Sequence, residues 1–346
     1  MSIFVVGGKR KKIKLNIMAK KISLALYQLS IHKRRDRDDR VVLSDFMNGT
    51  DIIEIVSDLL NTLTYDSTNE DVSQNRDNEN FFRIMKTNNQ DLLFEEGRFV
   101  SGIIETGNFG TEENIVNILN GEATHTKGVN EALLVPFYFL FYIPEDSEIG
   151  FLLLQRIGNL GIYSLLESKL RSYLVPLIRN DEGNDFVLKI NPLVLQRLIT
   201  QHLGSIGGGA KKITFEQVRK EDLKVSRMTN NEVSNDEVGN TEIVYTAKRN
   251  SFFNIRGLLN RIRRVDSSNV YSIEGVEYGD IKFEVIIEGQ PRQLSVKDIE
   301  RLGTFMDITD NVQLASNNYP TYESLNQQAH LLTTHILQEI RGRQLR

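Results

Sequence analysis

Apolar and polar residues follow two different periods near the start of the chain, and each period predicts one element. Residues 22–31 alternate in part between apolar and polar side chains, which predicts a half-buried strand. Apolar residues then recur at i, i+3 and i+4 from Ile52 to Leu63, which predicts an amphipathic helix. We expect Thr50 to cap this helix and Asp51 to lie at its positive end.

Short apolar segments separated by Gly, Asn and Asp dominate residues 81–157 and predict a mostly antiparallel meander. The Asn120-Gly121 pair lies between two short strand candidates and predicts a hairpin turn. The longest apolar run, residues 132–143, is too short to span a bilayer and predicts a buried strand. Residues 161–179 have helical spacing, and we expect Pro176 to kink or end that helix.

The second half of the chain interleaves strands and helices without a regular βαβ period. A polar, turn-forming segment at residues 180–185 is the best domain boundary. Residues 226–242 are polar and predict a loop. Strands are predicted at 186–190, 212–218, 242–247, 271–276 and 281–287, and helices at 191–202, 252–264 and 322–340.

These elements predict an α+β fold in two domains. Residues 1–179 form a domain with the antiparallel meander and interleaved helices, in which we expect residues 1–17 to be a loose extension and Met18 an alternative start. Residues 186–346 form a smaller α+β domain with a basic helix and a long amphipathic C-terminal helix.

Composition narrows the function classes without selecting one. The chain has 346 residues, 42 Lys and Arg against 46 Asp and Glu, and no Cys. Disulfides, cysteine nucleophiles and zinc–thiolate sites are therefore excluded. We expect a cytoplasmic protein with no membrane span, and the richness in Asn, Ile, Asp and Lys is typical of a bacterial protein from an AT-rich genome.

A basic segment at residues 247–265 is the strongest candidate for binding. It contains no acidic residue, and on a helical projection its arginines lie opposite an apolar face. Guanidinium groups bind phosphates and an exposed ring stacks on a base, so the segment predicts a DNA or RNA contact. The candidate contact residues are Lys248, Arg249, Phe253, Arg256, Arg261, Arg263 and Arg264.

A solvated helix face whose arginines pair with acidic loops explains the same segment without a ligand. The acidic overall balance favours that alternative, because dedicated nucleic-acid-binding proteins more often have a high pI. Nucleic-acid binding by this chain would therefore be confined to the basic segment.

Asp280 and Lys282 form an Asp-x-Lys pattern on a predicted strand and suggest a Mg²⁺-dependent nuclease. Asp266 or Glu274 would supply a second carboxylate for the metal, and Lys282 would orient or activate the attacking water. The same residues alternate with Ile281 and Phe283, as on the solvent face of any amphipathic strand.

Assembly with other proteins is the third possibility. The final helix has a wide apolar stripe, which is buried either in its own domain or against another chain. The leading hypothesis is a non-enzymatic, cytoplasmic nucleic-acid-binding module of a larger complex, without a cofactor. One alternative is a Mg²⁺-dependent nuclease. The other is a protein–protein scaffold or regulatory subunit of an antiviral defence or mobile-element system, which would self-associate or bind other subunits.

Overall fold

The computed structural model describes most of the chain. The described residues are 20–33, 40–46, 49–64, 74–75, 80–178, 186–195, 197–199, 201, 209–217, 224–229, 232–237, 242–259, 261–265, 270–287 and 290–344. They form two large antiparallel sheets with helices, including a long C-terminal helix, so the broad α+β prediction is confirmed. The predicted extension at 1–17 and the predicted boundary at 180–185 lie outside the described residues.

Strands are the most frequent secondary structure in the described fold. The first thirteen are β1 (Ile22–Lys33), β2 (Gln74–Asn75), β3 (Asn80–Ile84), β4 (Lys86–Thr87), β5 (Gln90–Asp91), β6 (Leu93–Glu96), β7 (Phe99–Asn108), β8 (Glu113–Val116), β9 (Ala123–Lys127), β10 (Val135–Tyr142), β11 (Gly150–Ile157), β12 (Leu160–Gly161) and β13 (Phe186–Pro192). The next ten are β14 (Gly209–Gln217), β15 (Lys224–Thr229), β16 (Glu232–Glu237), β17 (Glu242–Thr246), β18 (Phe253–Asn254), β19 (Ile262–Val265), β20 (Val270–Ile273), β21 (Val276–Ile287), β22 (Gln290–Ser295) and β23 (Phe305–Asp307). The α-helices are α1 (Ile52–Thr62), α2 (Tyr163–Ile178), α3 (Ile255–Leu259), α4 (Val296–Leu302) and α5 (Tyr322–Gln344).

The first sheet has the strand order β13-β1-β11-β10-β7-β3-β2. In addition, β6 pairs with β7, β12 with β11 and β23 with β1. β1 lies inside this sheet, hydrogen-bonded to β11 on one side and to β13 and β23 on the other. Its side chains alternate between the two faces, so Leu24 and Leu26 enter one core while Leu29 and Ile31 enter another. The predicted strand is confirmed, but it is buried on both faces.

Helices cover both faces of the first sheet. α1 and α2 contribute Ile55, Leu59 and Leu170 to the core on one face. α5 contributes Leu332 and Ile336 to the core on the other face. The apolar stripe of the final helix therefore packs on the protein's own sheet.

The second sheet has the order β17-β14-β21-β20-β19, with β18 paired to β14 and β22 paired to β21. Its core contains Ile213, Tyr271 and Phe283, and α4 packs there through Val296 and Ile299. β20 and β21 form a hairpin. Its two-residue turn, Glu274-Gly275, interrupts the strand predicted at 271–276, and both turn residues have positive φ, as a type I′ turn requires.

Three local predictions are wrong. Residues 226–242 are not simply a loop, since β15 and β16 pair as a hairpin. The helix predicted from residue 191 begins later, because β13 continues through Pro192. Asp51, not Thr50, caps α1, and its side chain accepts a hydrogen bond from the Ile53 amide at 3.0 Å.

The division into residues 1–179 and 186–346 stays a prediction. The contacts differ from it in one respect. β13 and β23 pair in the first sheet and α5 packs on that sheet, although all three follow residue 180. The second sheet takes all its strands from between residues 209 and 295.

Asp51 joins α1 to the first sheet. Besides capping the helix, its carboxylate binds the Arg98 guanidinium, and Arg98 Nε donates to the Ile143 carbonyl at 2.6 Å. Both side chains are largely buried, with 18% and 22% of their surfaces exposed. The contact therefore fixes the start of α1 against two neighbouring strand ends.

We expect Asp51→Ala to lower the free energy of unfolding by about 2 kcal/mol, because the cap is lost and Arg98 is left without its carboxylate. Urea unfolding followed by circular dichroism measures this. Asp58→Ala, at an exposed position of the same helix, is the control and should change stability by less than about 0.5 kcal/mol. Equal effects of the two substitutions would contradict the role of Asp51.

Candidate functional site

The predicted basic helix is much shorter than expected. α3 covers only Ile255–Leu259, and β18 and β19 flank it. The Asn254 side chain accepts a hydrogen bond from the Gly257 amide at 2.9 Å, which stabilises the first turn. After Leu259 the chain changes to an extended conformation and pairs with β20. The prediction of a helix over 252–264 is therefore wrong, and the basic residues are presented by a loop, one helical turn and a strand.

In the predicted helix Phe252 would be buried and Phe253 would lie exposed among the arginines. The structure shows the reverse. Phe253 packs against the core of the second sheet, whereas the Phe252 side chain is 56% exposed. β18 explains the exchange, because successive side chains of an extended segment point to opposite faces. The aromatic ring available to a ligand is Phe252.

Phe252 packs closely on Gly209, and the Lys211 ammonium covers one face of its ring. A Cβ atom at Gly209 would lie 2.7 Å from the Phe252 Cβ, so only glycine allows this close approach. The Lys211 ammonium lies 3.9 Å from the centroid of the Phe252 ring, a cation–π contact. Lys211 and Phe252 therefore belong to one surface, although the sequence predicted neither as a contact residue.

The loop that carries Lys248 and Arg249 is folded back on β14. The Ala247 amide donates to the Lys211 carbonyl at 2.8 Å, and the Lys211 ammonium donates to the Ser251 carbonyl at 3.0 Å. The Ser251 hydroxyl donates to the Lys248 carbonyl at 2.8 Å. These bonds fix the loop in one conformation, and we call residues 247–256 the basic loop.

Cations of the basic loop are exposed and have no carboxylate partner among the described residues. This holds for Lys248, Arg249 and Arg256. Arg261, beyond the loop, is paired with Glu274. The remaining two predicted contact residues, Arg263 and Arg264, lie in β19, and their side chains are outside the described part.

The Asp-x-Lys pair lies on β21, as predicted, and a third residue joins it. Glu216 on β14 lies directly opposite Asp280, and its carboxylate binds the Lys282 ammonium. Burial raises the pKa of Asp280, and the neighbouring Glu216 charge raises it further. The hydrogen bond to Glu216 raises the pKa of Lys282. The cluster is a partly buried acid–base pair with a second carboxylate beside it.

The carboxylates predicted from the sequence as second metal ligands do not join this cluster. Glu274 lies in the turn between β20 and β21 and pairs with Arg261, and Asp266 lies outside the described residues. Within the described ranges no three His, Cys, Asp or Glu side chains are arranged to hold a metal ion. The sequence alone did not identify Glu216, because strand pairing brings it to Asp280 from a distant part of the chain.

Comparisons with known proteins do not assign this site. No family model matches the sequence, and no curated protein matches it. Among the described helices, none combines the length and apolar character needed to cross a membrane.

Replacing Asp280 with Asn should raise the melting temperature at neutral pH. The folded state raises the pKa of this carboxyl, so the folded protein holds the proton more tightly than the unfolded chain. The charged form therefore lowers stability once the pH exceeds the unfolded pKa of about 3.9. The gain from Asp280→Asn should be present at pH 7 and disappear toward pH 3.

Thermal unfolding of the wild type, Asp280→Asn and the control Glu284→Gln, on the same strand face, measures this effect. The scans are repeated with Mg²⁺. A stabilisation by Mg²⁺ that Asp280→Asn abolishes would contradict the acid–base interpretation and identify a metal site.

Proposed function

We propose that the protein is a non-enzymatic, cytoplasmic nucleic-acid-binding module of a larger complex and that it binds through the basic loop. The observation that carries the proposal is the combination of one exposed aromatic ring and three exposed cations that have no carboxylate partner in the described part of the chain. Phosphate groups are held by such cations, and bases stack on such rings.

A single strand fits this surface better than a duplex. The Phe252 ring stacks only on a base that is free of its neighbours, as in single-stranded DNA or RNA. Lys211 lies over one face of the ring, so a base would stack on the opposite face. Binding by stacking and charge discriminates weakly between sequences.

Membership of a complex is supported by a different surface. The tip of the β8–β9 hairpin carries Ile118 and Leu119, whose side chains are 95% and 91% exposed. Two neighbouring apolar residues so fully exposed are typical of a protein–protein contact. This observation also favours the scaffold or regulatory-subunit alternative, in which the hairpin binds another protein or a second copy.

The nuclease remains a second candidate, supported by the placement of Glu216 opposite Asp280. Two carboxylates on adjacent strands would hold Mg²⁺, and Lys282 would orient the water. In the geometry observed, the Lys282 ammonium binds Glu216 and neutralises it. We therefore rank this function below nucleic-acid binding without cleavage.

Replacing Lys248, Arg249 and Arg256 with Ala should weaken binding to a single-stranded oligonucleotide and flatten its salt dependence. Removing three phosphate contacts lowers the slope of log K against log salt by about 2 for a single strand. Fluorescence anisotropy at several salt concentrations measures the slope.

The matched control replaces three other exposed cations, Lys20, Lys297 and Arg341, with Ala and so makes the same change in net charge. Equal salt-dependence slopes for the two triple variants would show that the net charge of the protein, and not the basic loop, governs binding.

Phe252→Ala should weaken single-strand binding by about 1–3 kcal/mol, the contribution of one stacked base. Binding to a duplex of the same sequence should change little. Tyr245→Ala, at another exposed ring of the second sheet, is the control. A variant that binds single strands as tightly as the wild type would exclude stacking on Phe252.

A further inference from the structure

A cavity of about 490 Å³ lies in the first sheet, remote in sequence from the basic loop. Strands β3, β7 and β10 form one side, the start of α2 forms another, and the β8–β9 hairpin borders it. This volume is in the range of small-molecule sites.

Close backbone packing shapes one wall. A Cβ atom at Gly107 would lie 2.2 Å from the Leu133 carbonyl oxygen, so the segment before β10 rests directly on β7. Only glycine allows this approach. This wall of the cavity is therefore formed by two backbone segments in direct contact.

One end of the cavity is polar and has balanced charge. The Lys127 side chain is only 3% exposed, and its ammonium lies 3.3 Å from the Asn108 carbonyl and 3.4 Å from a Glu113 carboxylate oxygen. An ammonium has three donors, and these two contacts leave one of them for a further acceptor. Among the described residues that line the cavity, only Lys127 and Glu113 are charged, and their charges cancel.

Apolar walls and two hydroxyl groups complete the cavity. Val135 and Phe137 come from β10, and Leu165 comes from α2. Ser164 and Ser168, one turn apart on α2, also line it, and their hydroxyls have no hydrogen-bond partner among the described residues. The site thus offers donors and acceptors at its edges and an apolar surface between them.

We propose that this cavity binds an uncharged heteroaromatic molecule, a nucleobase or nucleoside. The balanced charge of the lining disfavours a net anion or cation, because neither charge would be compensated. The apolar residues of β10 and α2 fit the faces of a ring. The Lys127 ammonium, the Glu113 carboxylate and the two serine hydroxyls match the alternating acceptors and donors on the edge of a base. The proposal does not rest on the function of the basic loop.

Isothermal titration of the full chain with adenosine, guanosine, cytidine and uridine tests the proposal. At least one nucleoside should bind the wild type. Ser168→Leu fills the cavity and should weaken that binding at least tenfold. Ser172→Leu, one turn further along α2 at an exposed position outside the lining, should leave it unchanged. Circular dichroism checks that both variants are folded.

Two further titrations address the charge argument. Lys127→Met should weaken binding of the same nucleoside, and its 5′-monophosphate should bind no more tightly than the nucleoside. The proposal would be overturned if none of the four nucleosides binds, if the two serine variants bind equally well, or if the monophosphate binds tenfold tighter than the nucleoside.

Discussion

The burial of β1 on both faces is the constraint on which the first sheet depends. Leu24 and Leu26 pack under α5, while Leu29 and Ile31 pack under α1 and α2, so the strand belongs to two cores at once. Its backbone pairs with residues near positions 155, 190 and 306. The start, the middle and the late part of the chain must therefore meet before either core closes. Such non-local pairing slows folding, because the entropy of loop closure is lost before the stabilising contacts between distant strands form.

Local patterns predicted α1 and located β1, although β1 is buried on both faces and not on one. The spacing of Ile52, Ile55 and Leu59 corresponds to the buried face of α1, and the partial alternation over residues 22–31 corresponds to β1. The segment after Phe252 shows the limit of this reasoning. Its apolar residues have helical spacing, yet residues 262–265 pair with β20, because strand pairing outweighs a weak local preference.

The candidate surfaces were harder to predict than the elements, since each depends on pairing between distant strands. Lys211 reaches Phe252 because β18 pairs with β14, and Glu216 reaches Asp280 because β14 pairs with β21. No spacing along the sequence contains this information. The structure exposes the cations Lys248, Arg249 and Arg256, and the absence of acidic residues in 247–265 is visible in the sequence. Whether they bind nucleic acid stays a prediction.

The two proposed binding sites differ in chemistry: one is the basic loop on the second sheet, and the other is the cavity in the first sheet. The central claim concerns the loop, and hydrogen exchange of the protein alone and with a saturating single-stranded oligonucleotide at low salt tests it most directly. The account predicts slower exchange within residues 247–256 and unchanged exchange in β1. Protection confined to other segments, with the basic loop unaffected, would contradict it.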